Sequence, residues 1–161
     1  MCNAIEGESK MTRAKIPAHI TVKGTFCGIE SLEGVEQIVR SITGSASPIE
    51  ISFEGAESRW RSNGGGLSVP VSSQMQELHD ALVAAISPIS TSAYVDDPYR
   101  PHMTYVQEAT PEGLERAKEL AAQTDFGDGF VAEAVDLMGR AGKAYGGKWK
   151  LVERFRLGGE G

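Results

Sequence analysis

Arg100-Pro101-His102-Met103-Thr104-Tyr105 and, far upstream, Pro17-Ala18-His19-Ile20-Thr21-Val22 carry one four-residue frame twice: histidine, apolar residue, threonine, apolar or aromatic residue. In an extended strand, residues i and i+2 point to the same side. Each frame therefore sets an imidazole beside a hydroxyl on one face and sends the intervening apolar residue to the other. Two such half-sites, brought face to face, supply a general base, a general acid and two hydroxyl donors. A phosphate is the small polar group that best fits between them. The chain has three histidines, and threonine is roughly one residue in twenty, so two chance coincidences fall below about one in a hundred. Polar positions on half-buried strands are the plain alternative, but they leave the wider repeat unexplained.

That repeat continues past the histidines. Ser31-Leu32-Glu33-Gly34-Val35-Glu36 follows the first frame, and Thr110-Pro111-Glu112-Gly113-Leu114-Glu115 follows the second. Each reads as a helix start: a hydroxyl N-cap, acid in the first turn and, in the second copy, proline at N1, where its missing N–H costs nothing. The unit is a strand bearing His-x-Thr, a loop and a capped helix. Present twice, it predicts two lobes related by an approximate two-fold axis.

Composition bounds the possibilities. The 161 residues, 40% hydrophobic and 24% charged, fit one ordinary globular domain with a sizeable core. No apolar run approaches the length of a bilayer span, and residues 1–15 lack the apolar core of a secretory signal. A cytoplasmic protein without membrane attachment is expected. The net charge of −6 argues against gripping a long duplex, which needs a basic face. One short oligonucleotide end held in a local pocket is compatible with it. Cys2 and Cys27 stand far apart with no metal-ligand spacing and read as reduced thiols.

Along the chain, residues 18–26 read as a strand, 32–42 as an amphipathic helix and 49–53 as a half-buried strand. Residues 57–61 continue the sheet, and the Asn63-Gly64-Gly65-Gly66 tract reads as a flexible turn into a strand over 67–71. A helix follows over 73–86. It contains His79, which has no His-x-Thr context, borders the apolar stripe and reads as a packed histidine. Residues 87–99 form a loop with a short strand near 93–95. The second histidine strand spans 100–107 and its helix 111–122. Residues 129–138 and 148–157 read as antiparallel strands joined by a Gly/Lys-rich connection. The sum is an α+β protein with mainly antiparallel sheets.

The paired frames suit acid–base chemistry at phosphorus. With an unperturbed pKa near 6.5, one imidazole can accept a proton while the other donates. In-line displacement needs these two roles on opposite sides of phosphorus, with donors to the non-bridging oxygens; Thr21 and Thr104 are the candidate donors. The scheme needs neither metal nor cofactor. Strand parity adds Lys23 beside the first frame and Arg100 beside the second as candidate phosphate-binding cations. Among nearby aromatics, Phe26, Trp60, Tyr99 and Tyr105, core packing is the plainer reading. Phe26 and Tyr105 are kept as candidate stacking partners for a base.

The phrases Ile16-Pro17-Ala18-His19-Ile20-Thr21-Val22 and Tyr99-Arg100-Pro101-His102-Met103-Thr104-Tyr105 resemble the paired His-x-Thr/Ser signatures of the two-histidine phosphoesterases, the 2′-5′ RNA ligase-like superfamily. The ending Trp149-Lys150-Leu151-Val152-Glu153-Arg154-Phe155-Arg156-Leu157 is similar to the terminal strand of bacterial members. The resemblance implies a bilobal fold, antiparallel sheets lining a central cleft and helices packed outside. It also implies metal-independent cleavage of 2′,3′-cyclic phosphates, with His19 and His102 as the acid/base pair and Thr21 and Thr104 holding the phosphate. The same side chains serve 2′-5′ ligation or RNA-end processing, and a catalytically idle nucleotide-binding module stays open as a third reading. Members ordinarily have a strand and helix before the first signature, whereas 18 residues precede His19. The expectation is a shortened start to a single two-lobed domain over residues 1–161, with an open sheet edge on which a second copy could pair.

Overall fold

The computed structural model describes residues 18–54, 56–59, 64–95, 97–106, 109–139 and 149–159. They form, in chain order, β1 (Phe26–Cys27), α1 (Leu32–Ser45), β2 (Ile49–Ile51), β3 (Ala56–Arg59), β4 (Gly64–Ser68), α2 (Ser73–Ile86), β5 (Ser92–Ala93), β6 (His102–Val106), α3 (Pro111–Gln123), β7 (Phe130–Ala132), β8 (Ala134–Gly139) and β9 (Lys150–Arg156). Every strand pairing among them is antiparallel. No helix among the described residues is long and apolar enough to cross a membrane.

The chain divides into two compact units. Among the described residues, the first draws on the stretches 18–21, 52–70 and 101–129, and the second on 22–51, 71–100 and 130–159. Both histidine frames, through Thr21 and from His102, therefore fall in the first.

In the first unit, β3, β4 and β6 form a sheet in that order, and α3 packs against it. Leu67, Tyr105, Val106, Ala109, Leu114, Ala117 and Ala121 make the core, with Phe53, Met103, Leu120 and Phe126 against it. The glycine tract is not a turn here: Gly64, Gly65 and Gly66 lie inside β4. The physical reason is close approach. A Cβ on Gly65 would sit 2.6 Å from the Tyr105 hydroxyl, and one on Gly66 would sit 3.0 Å from the Met103 carbonyl oxygen. Glycine is used because a ring and a backbone occupy the side-chain space. Helix α3 begins as its sequence dictates, with the Thr110 hydroxyl accepting from the Gly113 N–H at 3.1 Å.

The second unit is built on α1 and α2, which pack on each other, with β8 and β9 against α1. Val35 and Val39 from α1, Met75, Leu78, Leu82 and Ile86 from α2, and Phe155 from β9 are buried. The Ser31 hydroxyl caps α1 through the Gly34 N–H at 3.1 Å, matching the cap of α3. Ser72 caps α2 through the Met75 N–H at 3.2 Å. Residues 129–138, expected as one strand, are two: β7 pairs with β2 and β8 with β9. The expected connection before β9 and Trp60 lie outside the described residues.

The strand expected over 18–26 is not continuous. It consists of an isolated antiparallel bridge at Ile20, a bend at Val22 and Lys23, and the two-residue β1, paired with β5. At Val22 the chain leaves the first unit. There the Val22 carbonyl is taken by His79 Nδ1 at 2.6 Å, and Lys23 Nζ donates to the Tyr94 carbonyl at 2.9 Å. These bonds replace a sheet ladder and turn the backbone.

Candidate active site

One bridge sets the geometry. Ile20 and Met103 face each other as antiparallel partners on the edge of β6 away from β4. Positions flanking an antiparallel pair oppose each other in reverse order, so His19 stands across from Thr104 and Thr21 across from His102. Pleating sends all four to the face opposite Ile20 and Met103. Met103 packs into the core beneath α3, which leaves the two imidazoles and two hydroxyls on the other face. His19 and Thr21 are exposed; His102 and Thr104 are half-buried.

The β4 register extends this face by one strand. Ser68 is paired with His102 and Gly66 with Thr104. Two rows result across the sheet: Thr21, His102 and Ser68 in one, His19, Thr104 and Gly66 in the next. Gly66 contributes no side chain and is itself buried. A small anion on the face of the two frames could meet hydroxyl donors and imidazoles. Sequence reading passed over Ser68, because a glycine run taken as a turn hides the strand whose register brings Ser68 beside His102.

The remaining candidates divide between the two units. Lys23, Phe26 and Arg100 belong to the second unit, and regular strand alternation stops before both cations. The Lys23 ammonium donates to the carbonyls of Gly24, at 3.1 Å, and Tyr94; it sits 5.6 Å from the centre of the Phe26 ring. Burial lowers its pKa. Tyr105, a candidate base-stacking ring, is buried among the residues beneath α3. Its parity with Met103 puts it on the core face, so the structure gives it a packing role, and burial pushes its phenol pKa up.

His79 is buried at 4% exposure. Its ring lies parallel to that of Tyr99, with 4.0 Å between centroids. Since a carbonyl only accepts, the proton facing Val22 sits on His79 Nδ1. This histidine thus fastens Val22, the last residue of the first frame, and Tyr99, three residues before the second histidine.

Among the described residues, no group of three or more His, Cys, Asp or Glu side chains could hold a metal ion. An open depression bordered by Phe130, Ala132, Arg154 and Arg156 in the second unit contains no residue of either frame.

Helices packed with small antiparallel sheets, and two His-x-Thr frames on one sheet face, define a protein of the two-histidine phosphoesterase class. Within that class the chain belongs to the 2′-5′ RNA ligase superfamily, whose family model matches residues 4–144. Its fold is similar to that of TT0787 of Thermus thermophilus, with a TM-score of 0.63 at 17% identity, covering 89% of this chain and 80% of that one. It is also similar to Escherichia coli LigT complexed with 3′-AMP, with a TM-score of 0.62 at 16% identity, covering 96% of this chain and 85% of that one. No curated protein matches the chain at a significant level.

Proposed function

We propose that this protein is a phosphoesterase that opens a 2′,3′-cyclic phosphate on a nucleotide or short RNA end, with His19 and His102 as its acid/base pair. The observation that carries the reading is the register fixed by Ile20 and Met103, in which each imidazole has a threonine of the other frame as its cross-strand partner. One imidazole takes a proton from water as the water oxygen bonds to phosphorus. The other gives its proton to the ribose oxygen whose bond to phosphorus breaks. Water is consumed and a nucleoside 2′- or 3′-phosphate is released. Thr21 and Thr104 donate to the non-bridging oxygens, where charge gathers in the transition state. Proton exchange with solvent returns both rings to their starting states.

Two further facts support the reading. LigT, similar in fold, was crystallised with 3′-AMP, a nucleoside monophosphate and hence of the class this reaction releases. The net charge of −6 favours a small substrate over a long polyanion.

The test is turnover of the four 2′,3′-cyclic nucleoside monophosphates and of short RNAs ending in a cyclic phosphate, with chelator present throughout. Wild-type protein should open at least one of them. His19→Ala and His102→Ala should each lower the rate by about 10²–10⁴-fold, the usual worth of a general acid or base. Full activity in either variant, or abolition by chelator, would contradict the mechanism.

A further inference from the structure

We propose that His79 is a positioning residue of this site: its Nδ1–H holds the Val22 carbonyl and thereby fixes where Thr21 presents its hydroxyl. The inference rests on the function proposed above and adds to it a residue, outside both His-x-Thr frames, that acts through another.

The way the first frame is held carries the argument. The second frame lies in a ladder, with β6 paired to β4 from His102 to Val106. Among the described residues, the first frame pairs through one isolated bridge, Ile20 with Met103. Directly afterwards the chain bends, at Val22 and Lys23. Thr21 thus stands between two fastened neighbours, Ile20 and Val22, one Cα step of about 3.8 Å from each. What fastens Val22 is a side chain 57 residues away in sequence, His79, whose Nδ1 lies 2.6 Å from the Val22 carbonyl oxygen. The anchor is rigid. His79 projects from α2 and is buried, as are Met75, Leu78 and Leu82 of the same helix. Its ring is braced by the parallel ring of Tyr99.

The chemistry follows from the geometry. A hydroxyl that donates to a non-bridging oxygen stabilises the transition state only when it is aimed before the charge develops. Misplacement is costly: a shift of about 1 Å is worth as much as about 10²-fold in rate. Holding the Val22 carbonyl stills the backbone on the side of Thr21 where strand pairing has stopped. The N–H of His79 does this, and the bulk of the ring does not. Two substitutions separate these contributions. His79→Asn keeps an N–H in the place of Nδ1, because its amide nitrogen is the same number of bonds from Cα, and gives up the stack on Tyr99. His79→Phe keeps the stack and gives up the N–H.

The experiment compares wild type, His79→Asn and His79→Phe, each also in a Thr21→Val background, by kcat and KM on the best cyclic nucleotide at a temperature where all are folded. His79→Phe should lower kcat about tenfold, part of the 10²–10³-fold or so that a whole oxyanion donor is worth, with KM little changed. His79→Asn should keep most of the wild-type kcat despite its poorer packing. With Thr21→Val the hydroxyl is already gone, so His79→Phe should then have almost no further effect. Equal losses in the Asn and Phe variants, or a Phe loss that multiplies in full with that of Thr21→Val, would overturn the proposal. Should His79→Asn fail to fold, the Phe and Val cycle decides alone. A second readout needs no turnover: the backbone ¹⁵N order parameter of Thr21 should fall in His79→Phe, and an unchanged value would also overturn the proposal. A wild type that opens no cyclic phosphate would overturn the function proposed above, and the order parameter would still decide whether His79 holds Thr21 in place.

Discussion

His79 Nδ1 lies 2.6 Å from the Val22 carbonyl oxygen, holding the backbone one residue past Thr21. The opposite side of the clamp is the Tyr99 ring, stacked on the imidazole at 11° between planes. Val22 and Tyr99 stand where the chain enters and is about to leave the second unit. Removing the imidazole would leave a half-buried acceptor without its donor and a void beside Tyr99. His79→Ala should therefore cost roughly 2–4 kcal/mol of stability. His79→Phe, which keeps the stack but lacks the donor, should cost about 1–2 kcal/mol. Urea unfolding of the three proteins measures both, and equal stability of His79→Phe and wild type would show that the hydrogen bond contributes nothing.

The Tyr105 ring rests on Gly65, leaving no room for a methyl group there. Gly65→Ala should cost about 1–3 kcal/mol through overpacking. Since Tyr105 is the group it meets, Gly65→Ala and Tyr105→Ala should be coupled: the double variant should lose less than the sum of the singles. A double-mutant cycle by thermal or urea unfolding checks this, and strict additivity would contradict the close approach.

Asp136 and Arg154 are cross-strand partners on β8 and β9, joined by two hydrogen bonds of 2.7 Å. The Arg154 hydrogen bond holds the Asp136 carboxyl below its ordinary pKa. A carboxyl depressed by folding contributes stability that is fully present above its unfolded pKa, about 3.9, and lost as pH falls through the lower folded value. Asp136→Asn should be slightly less stable than wild type at pH 7, with a difference that added salt reduces, because the pair faces solvent. Below the folded pKa the two proteins should converge. Unfolding curves at neutral and acid pH test the sign; a gap that widens on acidification would refute it.

Helices were legible in the sequence because their signals are local. Ser31 and Thr110 announce α1 and α3, and in each the cap bonds the N–H three residues on, at 3.1 Å. Strands depend on partners elsewhere in the chain, and there the sequence misled. Gly64–Gly66 reads as a turn until the Tyr105 ring is known to lie over Gly65. Residues 18–26 read as one strand, since nothing local reports that His79 and Tyr94 take the Val22 carbonyl and the Lys23 ammonium. The two His-x-Thr frames were legible through their i, i+2 spacing. The place of Ser68 beside one of them was not, because register is set by tertiary pairing rather than by any local signal.

The most direct measurement is histidine side-chain NMR during titration with 3′-AMP, in a protein whose three histidines give three assignable rings. His19 and His102 should shift together along one saturating curve, with His79 nearly still because it is buried against Tyr99. Signals from His19 and His102 that respond at different concentrations, or a response from one ring alone, would contradict a single phosphate held between them.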